Sequence, residues 1–194
     1  MTSIESILEE DWFYAKPWLV VGTAPSIEGW KDEYKDKFNV WTINAAIDVT
    51  GWADIAALHD ANIYSGANDI LKNNELNCRH VLTRTTQSLS DVSRVFNHGN
   101  PLFIRLKEQA GLWEDPGDLK TYKSHNSTGV AFYFLSKYGK RKVIYTLGIG
   151  DDTEKVSPLI TEFYRNGHRG VDWALHNLAI DIYQKIYGYD VIKL

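Results

Sequence analysis

Short polar residues follow the apolar runs of this sequence, and they are the residues whose types could bind a phosphate or a ribose. Four polar clusters each stand at the end of one such run: Thr23 to Ser26, Asn44, His59-Asp60 and Gly148 to Asp152. Backbone N–H groups, hydroxyls and amides are the donors with which proteins hold phosphate and ribose oxygens. The pattern therefore predicts a nucleotide crevice, although any strand that runs into a turn and a helix can look similar.

Further polar residues precede two predicted helices. Ser127-Thr128-Gly129 could hold a phosphate or ribose at a helix start, or could be an ordinary N-cap. His168 stands in the glycine-flanked stretch 166–170 and could act as a general base or acid, or could simply be solvated. His176, in the last predicted helix, is expected to be a partly buried, hydrogen-bonded residue.

Four residues could suggest a metal site, namely His59, Asp60, Asp151 and Asp152. Their spacing matches no metal-binding motif, and two aspartates after a strand serve equally well as a helix cap. The single cysteine, Cys78, excludes an intramolecular disulfide and a metal site built from cysteines. We therefore expect no metal.

The elements that must position these residues alternate between strands and helices. A helix joined by a short link to a strand makes neighbouring strands parallel, so the polar residues at strand ends share one edge of a sheet. This predicts an α/β fold, a mostly parallel sheet with helices on both faces. Strands are predicted over 18–21, 38–43, 55–59, 80–84, 142–147 and 189–194, helices over 3–11, 64–73, 130–138 and 172–187, a turn over 51–54, and a left-handed helix end at Gly139.

The length of 194 residues suits a single domain over 1–194. The irregular segment 85–124 is expected to be a lid or an acceptor-binding insertion. A net charge of −4 gives no overall attraction for nucleic acid or for an anionic membrane. The sequence contains neither a signal-peptide pattern nor about 18 consecutive apolar residues, so we expect a cytoplasmic protein with no membrane span.

Three stretches, in order along the chain, resemble one family. VVGTAPSI resembles the strand-and-loop opening of family 42 sialyltransferases and of related Rossmann-like domains, which include archaeal 6-hydroxymethylpterin diphosphokinase-like proteins. NSTGVAFYFLSKYGKRKVIYTLGIGDD resembles the family's hydroxyl-glycine start, apolar helix and following strand end. NGHRGVDWALHNLAIDIYQKIYGYDVIKL resembles its Gly-His loop, helix and final strand. The resemblance covers nearly the whole chain except the irregular middle.

The resemblance implies a single Rossmann-like domain that acts as a metal-independent inverting glycosyltransferase. It would move a sugar from a nucleotide sugar, with a CMP-sugar favoured, to a hydroxyl of a glycan, a small molecule or a modified nucleobase, and it would need no cofactor. His168 would be the general base on that hydroxyl, and Tyr164 would donate to the leaving phosphate. The implied nucleotide-binding residues are Gly22, Thr23, Ala24, Pro25, Ser26, Asn44, His59, Ser127, Thr128, Gly129 and Gly148.

The chain departs from the family pattern at Thr23, Ala24 and His59, where the family usually has Asn, Gly and Asn. Another nucleotide sugar therefore stays open as the donor. Two other functions also stay open: an ATP-dependent diphosphokinase-like transferase, which would need magnesium and carboxylates such as Asp151 and Asp152, and a non-catalytic nucleotide-binding module. A homo-oligomer is left open as well.

Overall fold

The computed structural model describes residues 7–58, 77–84, 102–106, 127–150, 155–160 and 173–194. Seven strands pair in parallel in one sheet. They are β1 (Trp18–Val21), β2 (Asn39–Ile43), β3 (Trp52–Leu58), β4 (Asn77–Arg84), β5 (Leu102–Leu106), β6 (Val143–Leu147) and β7 (Asp190–Lys193). Their order is β5-β4-β3-β2-β1-β6-β7, so the direction of strand addition reverses between β1 and β6. The predicted α/β fold with a parallel sheet is confirmed.

Helices cover both faces of the sheet. The described helices are α1 (Trp12–Ala15), a 3-10 helix (Pro25–Gly29), α2 (Tyr34–Lys37), α3 (Ala46–Thr50), α4 (Ser127–Tyr138) and α5 (Trp173–Tyr187). Because side chains alternate along a strand, Trp18 and Val20 pack against α1, α4 and α5, whereas Leu19 and Val21 pack against the 3-10 helix, α2 and α3. Every residue of β1 and β2 is buried, as expected for central strands of a parallel sheet.

Four aromatic rings join α1 and α4 to the centre of the sheet. Phe13 and Phe134 pack against Trp18 and Trp41, with ring centroids between 5.0 and 6.0 Å apart in edge-on or tilted pairs. Such pairs are favoured by the ring quadrupoles in addition to the area that they bury. This layer holds α4 in place, and α4 begins with the predicted phosphate-binding residues Ser127 and Thr128.

Two local predictions are wrong. The predicted turn over 51–54 lies mostly within β3, because Gly51, with φ of 60°, ends α3 by itself and the chain enters the strand at Trp52. Gly139 is not left-handed. A Cβ atom there would lie 2.4 Å from the carbonyl oxygen of Leu135, so the contact with the last turn of α4 requires a glycine.

Three other predicted segments are only partly described. Of the predicted helix over 3–11, Ile7 is helical, 8–11 form turns or bends, and 3–6 lie outside the described residues. Of the predicted insertion over 85–124, Leu102–Leu106 is strand β5, and the remainder lies outside the described residues together with the predicted helix over 64–73. None of the helices in the described ranges is long and apolar enough to cross a membrane.

Candidate functional site

The loops after β1 and β6 lie side by side where the strand order reverses. This is the position at which open parallel sheets form a crevice beyond the carboxyl ends of their strands. Gly22 N donates to Leu147 O at 2.8 Å, and Ala24 N donates to Gly148 O at 2.9 Å. Gly148 N in turn donates to Ser26 Oγ at 2.9 Å. Three hydrogen bonds therefore join the two loops at the base of the crevice.

These bonds change the interpretation of the first loop. The 3-10 helix begins at Pro25, with Ala24 at its N-cap and no side-chain cap, so the Ser26 hydroxyl does not cap this helix. Its hydroxyl oxygen instead accepts from the other loop. The amides of Gly22 and Ala24 already have carbonyl partners, so a phosphate on this loop would have to bind other groups.

Thr23 is buried, and its carbonyl oxygen accepts from Ser157 N at 2.8 Å. The Ser157 hydroxyl lies 3.2 Å from Glu28 Oε1 on the 3-10 helix. The segment 155–160 thus packs against the outer side of the β1 loop. The loop is held by neighbours on both sides, which is the rigidity that a preorganised binding site needs.

Asn44 has a left-handed backbone at the end of β2. Its φ is 50°, and it is the only non-glycine residue with positive φ in the described part of the chain. Its N–H donates to Ala57 O at 2.8 Å, and only 7% of the residue is exposed. A buried residue in this conformation stores strain, and such strain is concentrated at functional sites. The structure places the predicted nucleotide-binding Asn44 at the carboxyl edge of the sheet.

The hydroxyl-glycine segment forms the first turn of α4. Ser127, Thr128 and Gly129 are all buried. Thr128 Oγ1 lies 2.6 Å from Nδ1 of the half-buried His176 on α5. The expectation that His176 is a partly buried, hydrogen-bonded residue is confirmed, and its partner is a predicted site residue.

The start of α5 also contacts the loop after β6. A Cβ atom on Gly150 would lie 2.1 Å from Asn177 Oδ1, so the backbone of this loop packs directly against α5. Lys193 Nζ, at the end of β7, donates to Gly150 O at 2.7 Å. The first turns of α5 therefore contact two walls of the crevice, α4 through His176 and the β6 loop through Asn177.

The electrostatics of this edge favour an anion. Helices that link parallel strands run antiparallel to them, so α4 and α5 both direct their positive N-terminal ends toward the crevice. Lys193 adds a cation at the same edge. The crevice segments 22–26, 127–129 and 148–150 contain no acidic residue. Phosphate is the anion that such an arrangement commonly binds in α/β folds.

His168, Tyr164 and His59 lie outside the described residues, so their assigned roles stay predictions. The described residues contain no group of three His, Cys, Asp or Glu side chains that could hold a metal. Asp151 and Asp152 are outside that part of the chain, and metal independence also stays a prediction.

Sequence reasoning missed two features of the site. The hydrogen bond between Thr128 and His176 joins residues 48 positions apart, and no spacing rule indicates such a pair. Lys193 could have been found, because it lies at the carboxyl end of the strand predicted over 189–194.

Comparisons with known proteins found similar solved structures but no similar sequence. No protein-family model and no curated protein matches the chain. The chain is similar in structure to the sialyltransferase CstII from Campylobacter jejuni in complex with the substrate analogue cytidine-5'-monophosphate. The identity is 13%, the match covers 93% of this chain and 80% of that chain, and the TM-score is 0.48.

It is also similar to the monofunctional α-2,3-sialyltransferase Cst-I from Campylobacter jejuni. That identity is 13%, the match covers 92% of this chain and 76% of that one, and the TM-score is 0.47.

Proposed function

We propose that the chain is a metal-independent inverting glycosyltransferase that transfers a sugar from a nucleotide-sugar donor, with a CMP-sugar favoured, to an acceptor hydroxyl. The observation that carries the proposal is the crevice between β1 and β6. Two helix N-termini, the strained Asn44 and Lys193 lie at its edge, and the segments 22–26, 127–129 and 148–150 contain no acidic residue. A nucleotide phosphate is the ligand that fits this chemistry best.

The same features supply what a leaving nucleotide needs. When the bond between the anomeric carbon and the phosphate oxygen breaks, negative charge develops on that oxygen. Fixed backbone dipoles at a helix N-terminus stabilise such charge without having to reorganise. The first turn of α4 and the start of α5 would take this role, and Tyr164 would donate a further hydrogen bond.

Inversion requires a base on the opposite side of the sugar from the leaving group. In the proposed step, His168 removes the proton of the acceptor hydroxyl as its oxygen attacks the anomeric carbon. The electron pair of the broken bond leaves with the phosphate of the nucleotide. His168 stands five residues before Trp173, the first residue of α5, and α5 begins at the crevice.

The first experiment is a thermal-shift panel of CMP, UMP, GMP, AMP, UDP and ATP, each with and without magnesium. A ligand that binds only the native state raises the melting temperature by mass action. A shift with CMP in the absence of magnesium supports the proposal. A shift with ATP only when magnesium is present would favour phosphoryl transfer instead, and no shift with any nucleotide would overturn the proposed site.

The second experiment tests catalysis directly. Release of CMP from a CMP-sialic acid donor is measured for the wild type and for His168→Ala. Loss of a general base lowers a rate by about 10²- to 10⁴-fold, while CMP affinity should be retained. Full donor turnover by the variant would remove the role of His168, and binding of CMP without any turnover by the wild type would favour a non-catalytic nucleotide-binding module.

A further inference from the structure

We propose that His176 is a positioning residue for the nucleotide site, because its hydrogen bond to Thr128 fixes the first turn of α4 against the crevice. The inference rests on the proposed function, since it assigns the α4 N-terminus to the phosphate. Thr128 is only 1% exposed, and its hydroxyl oxygen is 2.6 Å from His176 Nδ1. The Thr128 side chain thus contacts α5, and this contact holds the first turn of α4 in position.

Contacts between α5 and the loop after β6 determine whether loss of the His176 bond would move α4 or α5. Asn177, the next residue, packs on the backbone of Gly150. The same loop is held by Lys193 and by the bonds from Gly148 to the β1 loop. Because α5 is anchored to this wall, loss of the His176 bond should displace the first turn of α4 more than α5.

The hydrogen bond is also not needed to pack the two helices. Tyr133 of α4 and Tyr183 of α5 pack edge-to-face with ring centroids 5.7 Å apart, and the buried Phe132 and Ile180 belong to the same apolar cluster. A buried polar pair adds little net stability compared with apolar residues of the same shape. It does, however, fix direction and distance, which apolar contacts do not. The bond lies in the first turn of α4, where direction matters for an anion.

The chemistry of the pair is simple and directional. A neutral imidazole has one N–H, so Nδ1 either donates to Oγ1 or accepts the threonine proton, according to the tautomer. Both arrangements hold Oγ1 in the same place. An asparagine at 176 offers an amide group near the position of Nδ1 and can keep the bond, whereas phenylalanine keeps the shape of the ring and loses the bond.

The test is calorimetric titration of CMP into the intact chain without magnesium. We compare the wild type with His176→Phe, His176→Asn, Thr128→Val and the double variant His176→Phe/Thr128→Val. His176→Phe and Thr128→Val each lose this hydrogen bond, and each should raise the CMP Kd by about tenfold. The double variant should show about the same Kd as either single variant, because both remove one interaction. His176→Asn should stay within about threefold of the wild type.

Thr50→Val is the matched control for a general loss of stability. Thr50 is also buried, and its hydroxyl donates to Trp52 O at 2.8 Å, near the start of β3 and away from the crevice. This variant should lower the melting temperature and leave the CMP Kd unchanged. If His176→Phe does not fold, Thr128→Val and Thr128→Ser carry the test, since valine loses the hydroxyl and serine retains it.

The outcomes separate the two proposals. A wild type that binds none of the mononucleotides overturns the proposed function and this inference together. The inference alone is overturned if the wild type binds CMP and if His176→Phe and Thr128→Val bind CMP with the wild-type Kd. In that case they would only lower the melting temperature, as Thr50→Val does. A double variant whose Kd is the product of the single effects would also overturn it, because Thr128 and His176 would then act separately.

Discussion

The carbonyl oxygens of Gly22 and Gly148 each lie 2.4 Å from the position that a Cβ atom on the other residue would take. Because a side chain on either residue would collide with the backbone of the other, both positions require glycine. Gly22 is one of the predicted nucleotide-binding residues, and the backbone that it approaches in the structure is the loop after β6. Gly148 has the additional constraint of a φ of 66°, a conformation that favours glycine.

We expect Gly22→Ala and Gly148→Ala each to lower the free energy of unfolding by about 1–3 kcal/mol, because the new methyl group meets backbone atoms that cannot turn aside. Urea unfolding measures the change. Gly29→Ala is the matched control, since its Cβ would lie 3.8 Å from Leu147 Cδ1, an ordinary contact. A Gly22→Ala variant as stable as this control would contradict the close backbone contact between Gly22 and Gly148.

Asn44 offers a way to separate backbone strain from nucleotide contact. Asn44→Gly should keep or slightly raise the stability, because glycine adopts the φ of 50° without a steric cost. It should weaken CMP binding by about tenfold if the side chain contacts the nucleotide. Asn44→Ala should weaken binding and also destabilise the fold by about 1 kcal/mol. Unfolding curves and CMP titrations of both variants give the comparison, and unchanged affinity in Asn44→Gly would remove Asn44 from the site.

Asp54 should make the stability of this protein fall as the pH rises. Burial raises the pKa of its carboxyl above the usual 3.8, although Val40 N donates to it at 2.9 Å and Arg79 Nε lies 3.3 Å away. The folded state then binds this proton more tightly than the unfolded state. The protonated carboxyl stabilises the folded state fully when the pH is below the unfolded-state pKa of 3.8. This contribution to the free energy of unfolding is lost as the pH rises through the higher folded-state pKa.

Urea unfolding of wild type and Asp54→Asn between about pH 3 and about pH 7 isolates this effect from other titrations. Asparagine can still accept from Val40 N but does not titrate. The stability of the wild type minus that of Asp54→Asn should decrease with rising pH. A difference that rises with pH would mean that the Arg79 contact outweighs burial.

The hydroxyl of Tyr189 lies within hydrogen-bond distance of three carbonyl oxygens at the end of α4. The distances are 2.8 Å to Leu135, 2.6 Å to Ser136 and 3.1 Å to Gly139. The last carbonyls of a helix have no partners within the helix, so this hydroxyl takes the place of a cap. Tyr189→Phe should cost about 1–2 kcal/mol in urea unfolding. Tyr14→Phe is its control, because the Tyr14 hydroxyl makes one 3.1 Å bond to Leu8 O, and an equal loss in both would contradict the capping role.

The central strands could be predicted because they are buried on both faces. A strand such as β1 must then be a continuous apolar run, and the sequence Trp18–Val21 shows it directly. The start of β3 could not be predicted, because Asp54 interrupts its apolar residues and is tolerated only through bonds to β2 and β4. The position of β5 beside β4 depends on pairing between strands, which local sequence does not encode.

The candidate site could be predicted only as far as a parallel sheet dictates. Strand ends such as Asn44 and Gly148 must share one edge, and the structure confirms that placement. The pairs that build the site join distant residues, as Thr128 and His176 do across 48 positions. Those pairs result from the packing of α5 on α4, and no local pattern contains them.

The reversal of strand order between β1 and β6 also determines when the crevice can exist during synthesis. The strands β1, β2, β3 and β4 each pair with the next strand along the chain, so these pairs can form in order during synthesis. The contact between Ser26 and Gly148 closes a loop of 122 residues, which carries an entropic cost and cannot form until β6 and the loop after it have been synthesised. The crevice therefore forms late, and a nascent chain that stops before β6 has the β1 loop without its partner wall.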